Sequence, residues 1–322
     1  MKNTNSIMLS VFVALVPALL VKTYFWGWNT LLLLAVSIAT AAVVEIGVAK
    51  LRNKQLYAEF GNNSALVTCM LITLSLPPNI PFYVILIVTL FAILIAKQVY
   101  GGLGQNIFNP AMVGVALFIV TYPQFITYWA IPESSASQSL SQTWNSFTGA
   151  QGIDAVTQAT PLTQVKTILL VGGTKEQVIA SLARLISAEY FPWLVYNLAL
   201  LLGGLYLVLR KIITLLLPVC TLIGFCTIAY IHYLVTGYSQ AIPIYALIYG
   251  SAIFGAFFIV TDPVTTPQYV TGRIIYALLV GALMYIIRAF TNYNDGVAFA
   301  VLLCNILVPM FDRTFTPKEF GK

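Results

Sequence analysis

Charge is what this sequence has least of. Asp, Glu, Lys and Arg make up 8% of its 322 residues, against about 25% in soluble domains. By contrast 59% are hydrophobic, and the mean hydropathy is +0.89. A chain with so little polar surface is an integral membrane protein. Histidine is nearly absent: His232 alone leaves no Ser-His-Asp triad and no H-E-x-x-H metal helix to read. No glycine-rich dinucleotide fingerprint follows a strand either, so hydrolysis and nicotinamide binding are unsupported. Cys69, Cys220, Cys226 and Cys304 lie in apolar runs without C-x-x-C spacing, the pattern of packing residues rather than of a metal or iron–sulfur site.

What is abundant is apolar sequence in runs of span length. A membrane helix needs about 17 to 25 residues, and such runs recur near 7–25, 30–48, 64–78, 82–100, 107–123, 193–209, 212–234, 241–262, 273–289 and 295–311. Strands of a membrane barrel would alternate apolar and polar residues instead. The expected fold is therefore an all-α polytopic membrane protein with ten transmembrane helices. The first run has only Lys2 before it and no small-residue cleavage pattern after it. With Tyr24, Phe25, Trp26 and Trp28 at its exit, it reads as a retained span ending in an interfacial aromatic belt rather than as a signal peptide. His232, near an outer end, reads as an interfacial residue.

Orientation follows from lysine and arginine, which concentrate in cytoplasmic loops. Ten spans with an inside N-terminus put Lys2, Lys50, Arg52, Lys54, Lys97, Arg210, Lys211, Arg273, Arg313, Lys318 and Lys322 on the cytoplasmic side. Lys22, Lys166, Lys175, Arg184 and Arg288 fall on the other. Both termini are thus expected inside the cell and residues 124–192 outside it. The net charge of +6 expresses this loop bias, and it argues for membrane topology rather than nucleic-acid binding.

The two membrane halves carry an internal repeat. An offset of 186 positions pairs Pro77 with Pro263, Pro81 with Pro267, Tyr83 with Tyr269, Val84 with Val270, Asn106 with Asn292 and Pro123 with Pro309. The copies begin five spans apart, an odd number, so one is inverted relative to the other. The division is a first membrane half at 1–123, an outward loop at 124–192 and a second membrane half at 193–322. Inverted repeats interrupted by proline are a transporter signature, so a solute transporter or channel stands as an alternative function. The prolines are equally consistent with plain helix ends at the membrane surface. Acidic residues do not decide between these readings. Glu45 lies about one turn from the end of its span, and Asp262, Asp295 and Asp312 lie at helix boundaries, where water or helix N-termini satisfy a carboxylate.

The outward loop is long for a connection, and loops of that length are usually functional or disordered. It opens with a Ser-rich stretch from Ser134 to Ser141, closes with an amphipathic run from Lys175 to Ala188, and holds Asp154-Ala155-Val156-Thr157-Gln158-Ala159-Thr160 between them. An acid followed by spaced hydroxyls has the form of a recognised modification site.

This segment resembles the flavinylation motif of the RnfD/NqrB family, whose members belong to the Rnf electron-transport complex and to the related sodium-pumping NADH:quinone oxidoreductase. Three further stretches carry the resemblance: Gly101-Gly102-Leu103-Gly104-Gln105-Asn106-Ile107-Phe108-Asn109-Pro110-Ala111-Met112, Val260-Thr261-Asp262-Pro263, and the run from Asp295-Gly296 to Cys304-Asn305. The resemblance covers essentially the full length. The longer N-terminal region usual in the quinone-reductase relative is not found here, which favours the Rnf branch.

The resemblance implies FMN joined through its phosphate to the hydroxyl of Thr160 by a periplasmic flavin transferase, with Asp154 and Thr157 as recognition residues. Gln158 and Ala155 stand where the family usually or often has glycine, which bears on the turn around Thr160. It also implies a non-covalent riboflavin toward the opposite face, at the positions of Asn106 and Asn109, whose amides suit an isoalloxazine edge. Asn109 before Pro110 is equally the pattern of a helix cap. The implied setting is the bacterial inner membrane, with the other subunits of an Rnf-type complex as partners, among them a second subunit with covalent FMN. The implied role is electron transfer in a ferredoxin- and NAD-linked chain coupled to ion transport. The outward loop puts Thr160 on the face where such a transferase works.

Overall fold

The computed structural model describes residues 4–53, 63–126, 128–130, 140–150, 157–159, 167–168, 177, 190–236, 246–291, 293 and 295–316. Helices dominate, because in an apolar solvent every backbone N–H and C=O must be satisfied within the chain. In order they are α1 (Thr4–Trp26), α2 (Asn29–Leu51), α3 (Ser64–Ser75), α4 (Phe82–Leu90), α5 (Pro110–Thr121), α6 (Pro123–Ile126), α7 (Leu140–Thr148), α8 (Phe191–Leu209), α9 (Leu216–Thr236), α10 (Ala252–Phe254), α11 (Val270–Phe290) and α12 (Val297–Thr314). Helix α4 continues as a π-helix, Phe91–Gln98, and α10 continues as another, Gly255–Ile259.

Six of these helices, α1, α2, α8, α9, α11 and α12, are long and apolar enough to cross a membrane. The other four expected spans meet shorter helices. Ser64–Ser75 and Pro110–Thr121 are apolar but under span length, and Phe82–Gln98 is apolar and only at its lower edge. The run at 241–262 is interrupted at 250–251, between helical residues 246–249 and α10. Proline explains two of the ends. Leu76, which precedes Pro77, is extended at φ −87° and ψ 153°, as a residue before proline prefers. At the start of α5, Pro110 occupies the first turn, where its missing N–H is no loss.

Glycine sets the closest helix contacts. A Cβ at Gly203 on α8 would fall on the carbonyl oxygen of Ala14 on α1, and one at Gly204 would strike the ring of Phe257. The α9 and α11 pair is reciprocal: Gly224 abuts the carbonyl of Leu278, and Gly281 abuts that of Thr221. Small residues that let backbones approach are how helices pack where no hydrophobic force separates them from lipid.

The only sheet among the described residues is a short antiparallel ladder of β1 (Tyr128–Ala130) and β2 (Thr157–Ala159), pairing Tyr128 with Ala159, Trp129 with Gln158 and Ala130 with Thr157. Thr157 therefore has a backbone place opposite Ala130. Asp154, Thr160, the stretch 134–139 and most of 175–188 lie outside the described residues.

Two expectations drawn from residue type change here. Trp26 is 2% exposed and belongs to the core, whereas Tyr24 and Trp28, about half exposed, do suit an interfacial belt. Lys22 and Lys97, expected as loop charges, are buried within α1 and the π-helix after α4. One comes from each side of the topology count, so the sign of the bias survives.

Candidate functional site

Two cavities lie one behind the other along the bundle. On four elements the residues facing the first give way to residues facing the second: Leu74 to Leu71 on α3, Met112 to Pro110 on α5, Leu200 to Leu207 on α8, and Phe254 to Phe257 across α10 and its π-helical extension. The first, the tryptophan cavity, has about 110 Å³ and is walled by Trp129, Trp193, Phe118 and Phe254. The second, the asparagine cavity, has about 200 Å³ and is walled by Asn106, Asn109, Asp262, Lys97, Ser64 and Thr261 among apolar neighbours.

The asparagine cavity is built from helix ends. Asn109 caps α5, its side-chain oxygen accepting the Met112 N–H at 3.2 Å, while its amide nitrogen donates to Asp262 Oδ2 at 3.1 Å. The capping reading of Asn109 is thus correct, and the same side chain ties the first half of the chain to the second. Asp262 also accepts from the Val264 N–H at 3.1 Å and the Thr265 hydroxyl at 3.2 Å. Asn305, with its amide oriented to satisfy its neighbours, accepts the Asn109 backbone N–H at 3.1 Å and donates to the Thr265 carbonyl at 3.2 Å. Asn106 donates to the Phe108 carbonyl at 2.9 Å. The two sequence-predicted asparagines therefore share one cavity, both buried.

Behind this cavity sits a buried ion pair that the sequence did not announce. Lys97 Nζ lies 2.7 Å from Glu45 Oε1 and 2.7 Å from Ser64 Oγ, and the two charged side chains are 3% and 1% exposed. Its formation joins α2, α3 and the π-helix, and a π-helical turn inside an α-helix is frequently found at functional sites. The other acids are satisfied as helix-boundary residues: Asp295 accepts from the Val297 N–H at 3.2 Å and Asp312 from the Gln268 N–H at 2.7 Å.

The tryptophan cavity is different in kind. Trp193 stands 4.8 Å from Trp26 and 4.8 Å from Trp129, centroid to centroid, and Trp26 lies 6.0 Å from Tyr196. Arg288 and Asp295 bring opposite charges to its wall. Two of its buried polar atoms, Trp193 Nε1 and Asn197 Oδ1, have no hydrogen-bond partner among the described residues. Below it the fully buried Lys22 reaches the C-terminal end of α3, donating to the carbonyls of Thr73 at 2.7 Å, Leu74 at 3.3 Å and Leu76 at 2.6 Å. An ammonium there meets the negative end of the helix dipole. The same Nζ lies 5.1 Å from the ring centre of Trp129, a cation–π contact that links α1 to the ladder.

None of Trp129, Trp193, Asn197 or Lys22 stands out in the sequence as a site residue. The available signal was tryptophan, with five in the chain and three of them in one cluster.

Comparison with known proteins adds an independent finding. Residues 1–321 match the model of the NQR2, RnfD, RnfE family. Similar proteins include the D component of the ion-translocating oxidoreductase complex of Tolumonas auensis, 39% identical over 99% of this chain and 96% of the relative. The component of the same name from Alcanivorax borkumensis is 40% identical over 99% of this chain and 93% of the relative. That of Klebsiella pneumoniae is 39% identical over 99% and 95%. A match of this extent, on a helical chain whose Asn109, Asp262 and Asn305 motifs are joined by hydrogen bonds, shows that the chain belongs to the NQR2, RnfD, RnfE family.

Proposed function

We propose that this chain is the RnfD-type membrane component of an ion-translocating oxidoreductase complex, and that it carries electrons across the bacterial inner membrane. In this reading FMN is joined to Thr160 and riboflavin is held in the asparagine cavity. The observation that carries the proposal is the tandem arrangement of the two cavities, which share walls on α3, α5, α8 and the α10 region. Sites that accept and pass on electrons across a bilayer need such an axial series.

Flavins, when bound, supply the redox chemistry, while the protein supplies position and electrostatics. The residues of the asparagine cavity fit that division. The Asn109 amide has two hydrogens and spends one on Asp262, so one remains for a ring carbonyl. Asn106 presents a second amide to the same space, and Lys97 places a cation at its wall. Leu71, Leu74, Met112, Phe254 and Phe257, on elements that line both cavities, are apolar.

The fuller arrangement is proposed with it: ten spans in two inverted halves of five, both termini cytoplasmic, and the 124–192 loop periplasmic. Helix starts support the repeat, since an offset of 186 carries Phe82 to position 268 and Pro110 to position 296, against observed starts at Val270 and Val297. Partners are the other subunits of an Rnf-type complex, including a second covalent-FMN subunit, together with a periplasmic flavin transferase. The chain works in a ferredoxin- and NAD-linked sequence, and movement between the halves couples it to ion transport.

A phosphoester needs a side-chain oxygen, so Thr160→Val, nearly isosteric, should abolish covalent flavin, while Thr157→Val should retain at least part of it. Intact-mass analysis of each chain, expressed together with its flavin transferase, reads the result. An adduct persisting on the Thr160→Val chain would sink the attachment.

A further inference from the structure

Helix α7 belongs to the long connection between the membrane halves, yet it is pinned to one end of the bundle. Thr143 on it is buried, and the helix packs against α2. Its C-terminus closes on glycine: the Ala150 N–H donates to the Asn145 carbonyl at 2.9 Å and the Gly149 N–H to the Ser146 carbonyl at 3.2 Å. Gly149 stands at φ +78°, a conformation that glycine adopts without strain. The same glycine meets the corner before α4, where a Cβ built on it would lie 3.1 Å from Pro81 Cγ.

Aromatic rings extend that contact into a row. Trp144 lies 5.8 Å from Phe147, centroid to centroid, Phe147 lies 5.4 Å from Phe82, and Phe82 lies 6.0 Å from Tyr83. The row thus runs from α7 onto the first turn of α4. Phe82 and Tyr83 are exposed, and Trp144, at 61%, is the most exposed of the five tryptophans.

Position and charge identify what covers the row. Asn29, the first residue of α2, donates to the carbonyls of Pro78 at 2.7 Å and Ile80 at 3.4 Å, so the turn between α1 and α2 is level with the start of α4. Tyr24 and Trp28, at that turn, are exposed as well. Tryptophan and tyrosine collect where the apolar interior of a bilayer meets its headgroups, because the ring is apolar and its N–H or O–H is not. Helix α7 carries no charged residue, which leaves a charged soluble partner nothing to pair with. Its exposed Gln142 is two positions from Trp144, hence on the opposite side. A helix with rings on one side and amides on the other is the pattern of a segment lying in a membrane surface, and without charge its binding depends on apolar area rather than on anionic lipid.

We propose that α7 rests on the bilayer surface and that Trp144 inserts between phospholipid molecules, continuing the aromatic belt of α1, α2 and α4 into the connecting segment. The proposal is independent of any flavin.

The test places p-benzoylphenylalanine at position 144 of the full-length chain in its native membrane, where every partner is present. On irradiation this side chain inserts into a neighbouring C–H bond, and the intact mass of the purified chain should rise by one phospholipid. The same group at position 142 should leave the mass unchanged. A cross-link from position 144 to another polypeptide, a lipid adduct of equal yield at both positions, or no adduct at either overturns the proposal. A second measurement needs only the conservative variant Trp144→Phe. The emission that it removes from wild type should be severalfold dimmer in vesicles of neutral phosphatidylcholine brominated on the acyl chains near the headgroup than in unbrominated ones, and iodide in the water should change it little. Emission quenched by iodide and untouched by the brominated lipid likewise overturns the proposal.

Discussion

The two cavities share four elements yet treat polar groups in opposite ways. Around the asparagine cavity the side chains bond one another: Asn109 with Asp262, Asp262 with Thr265, Lys97 with Glu45 and Ser64. None of the buried side-chain atoms without a partner among the described residues belongs to its lining. In the tryptophan cavity Trp193 and Asn197 are left with unmet polar atoms. Leaving a buried donor or acceptor unpaired costs about 1–3 kcal/mol, so a site of the second kind carries a cost, among the described residues, that the first does not. A site of the first kind also holds the fold together. Substitutions of polar groups should therefore separate the two, with more stability lost around the asparagine cavity than around the tryptophan cavity.

The sharpest break in the comparison should come at the ion pair. Lys97→Met leaves the Glu45 carboxylate buried without its cation, and removing one partner of a buried pair destabilises by about 3–5 kcal/mol. Unfolding of the purified chain in detergent should show this loss, and Glu45→Gln combined with Lys97→Met should recover most of it. A single variant as stable as wild type would mean that the pair contributes nothing to the asparagine side.

A smaller effect is expected at Asn109. Removing an N-cap typically costs about 1 kcal/mol, and Asn109→Ala also takes one donor from Asp262. The same unfolding assay should place this variant between Lys97→Met and wild type. A stability equal to wild type would show that α5 starts as well without its cap.

The smallest effect tests the other side. Trp193→Phe without flavin removes an N–H that has no partner among the described residues but trims a buried ring packed against Trp26 and Trp129, so it should cost about 1 kcal/mol of packing and no more. A large loss would reveal that this N–H is satisfied inside the chain, and the contrast between the cavities would collapse.

How far the sequence reaches can be followed residue by residue. Asn109 was legible, because Asn before Pro is a local signal and a cap is a local bond. The ends of α3 and α5 were legible for the same reason, through Pro77 and Pro110. Trp26 and Lys22 were not: an aromatic residue and a lysine at the end of an apolar run have the pattern of an interface. Burial of Trp26 depends on Trp193, and burial of Lys22 depends on the carbonyls of residues 73–76, more than fifty positions away. The Lys97–Glu45 pair, 52 positions apart, carries no local mark either.

The sequence by itself determined that the chain lives in a membrane, that it is helical, where nearly all its helices run, and which family motifs it bears. Composition and periodicity are local averages, and the bilayer leaves a long apolar segment few alternatives to a helix. Only the tertiary structure decided that the asparagine motif and the Asp262 turn meet in one cavity with Asn305 bonded behind them, and that three tryptophans from distant segments cluster, two of them walling another cavity. The partner of a buried polar atom is chosen by how helices pack, and glycine contacts such as Gly224 and Gly281, which set that packing to within the width of a side chain, become visible only when two helices are brought together.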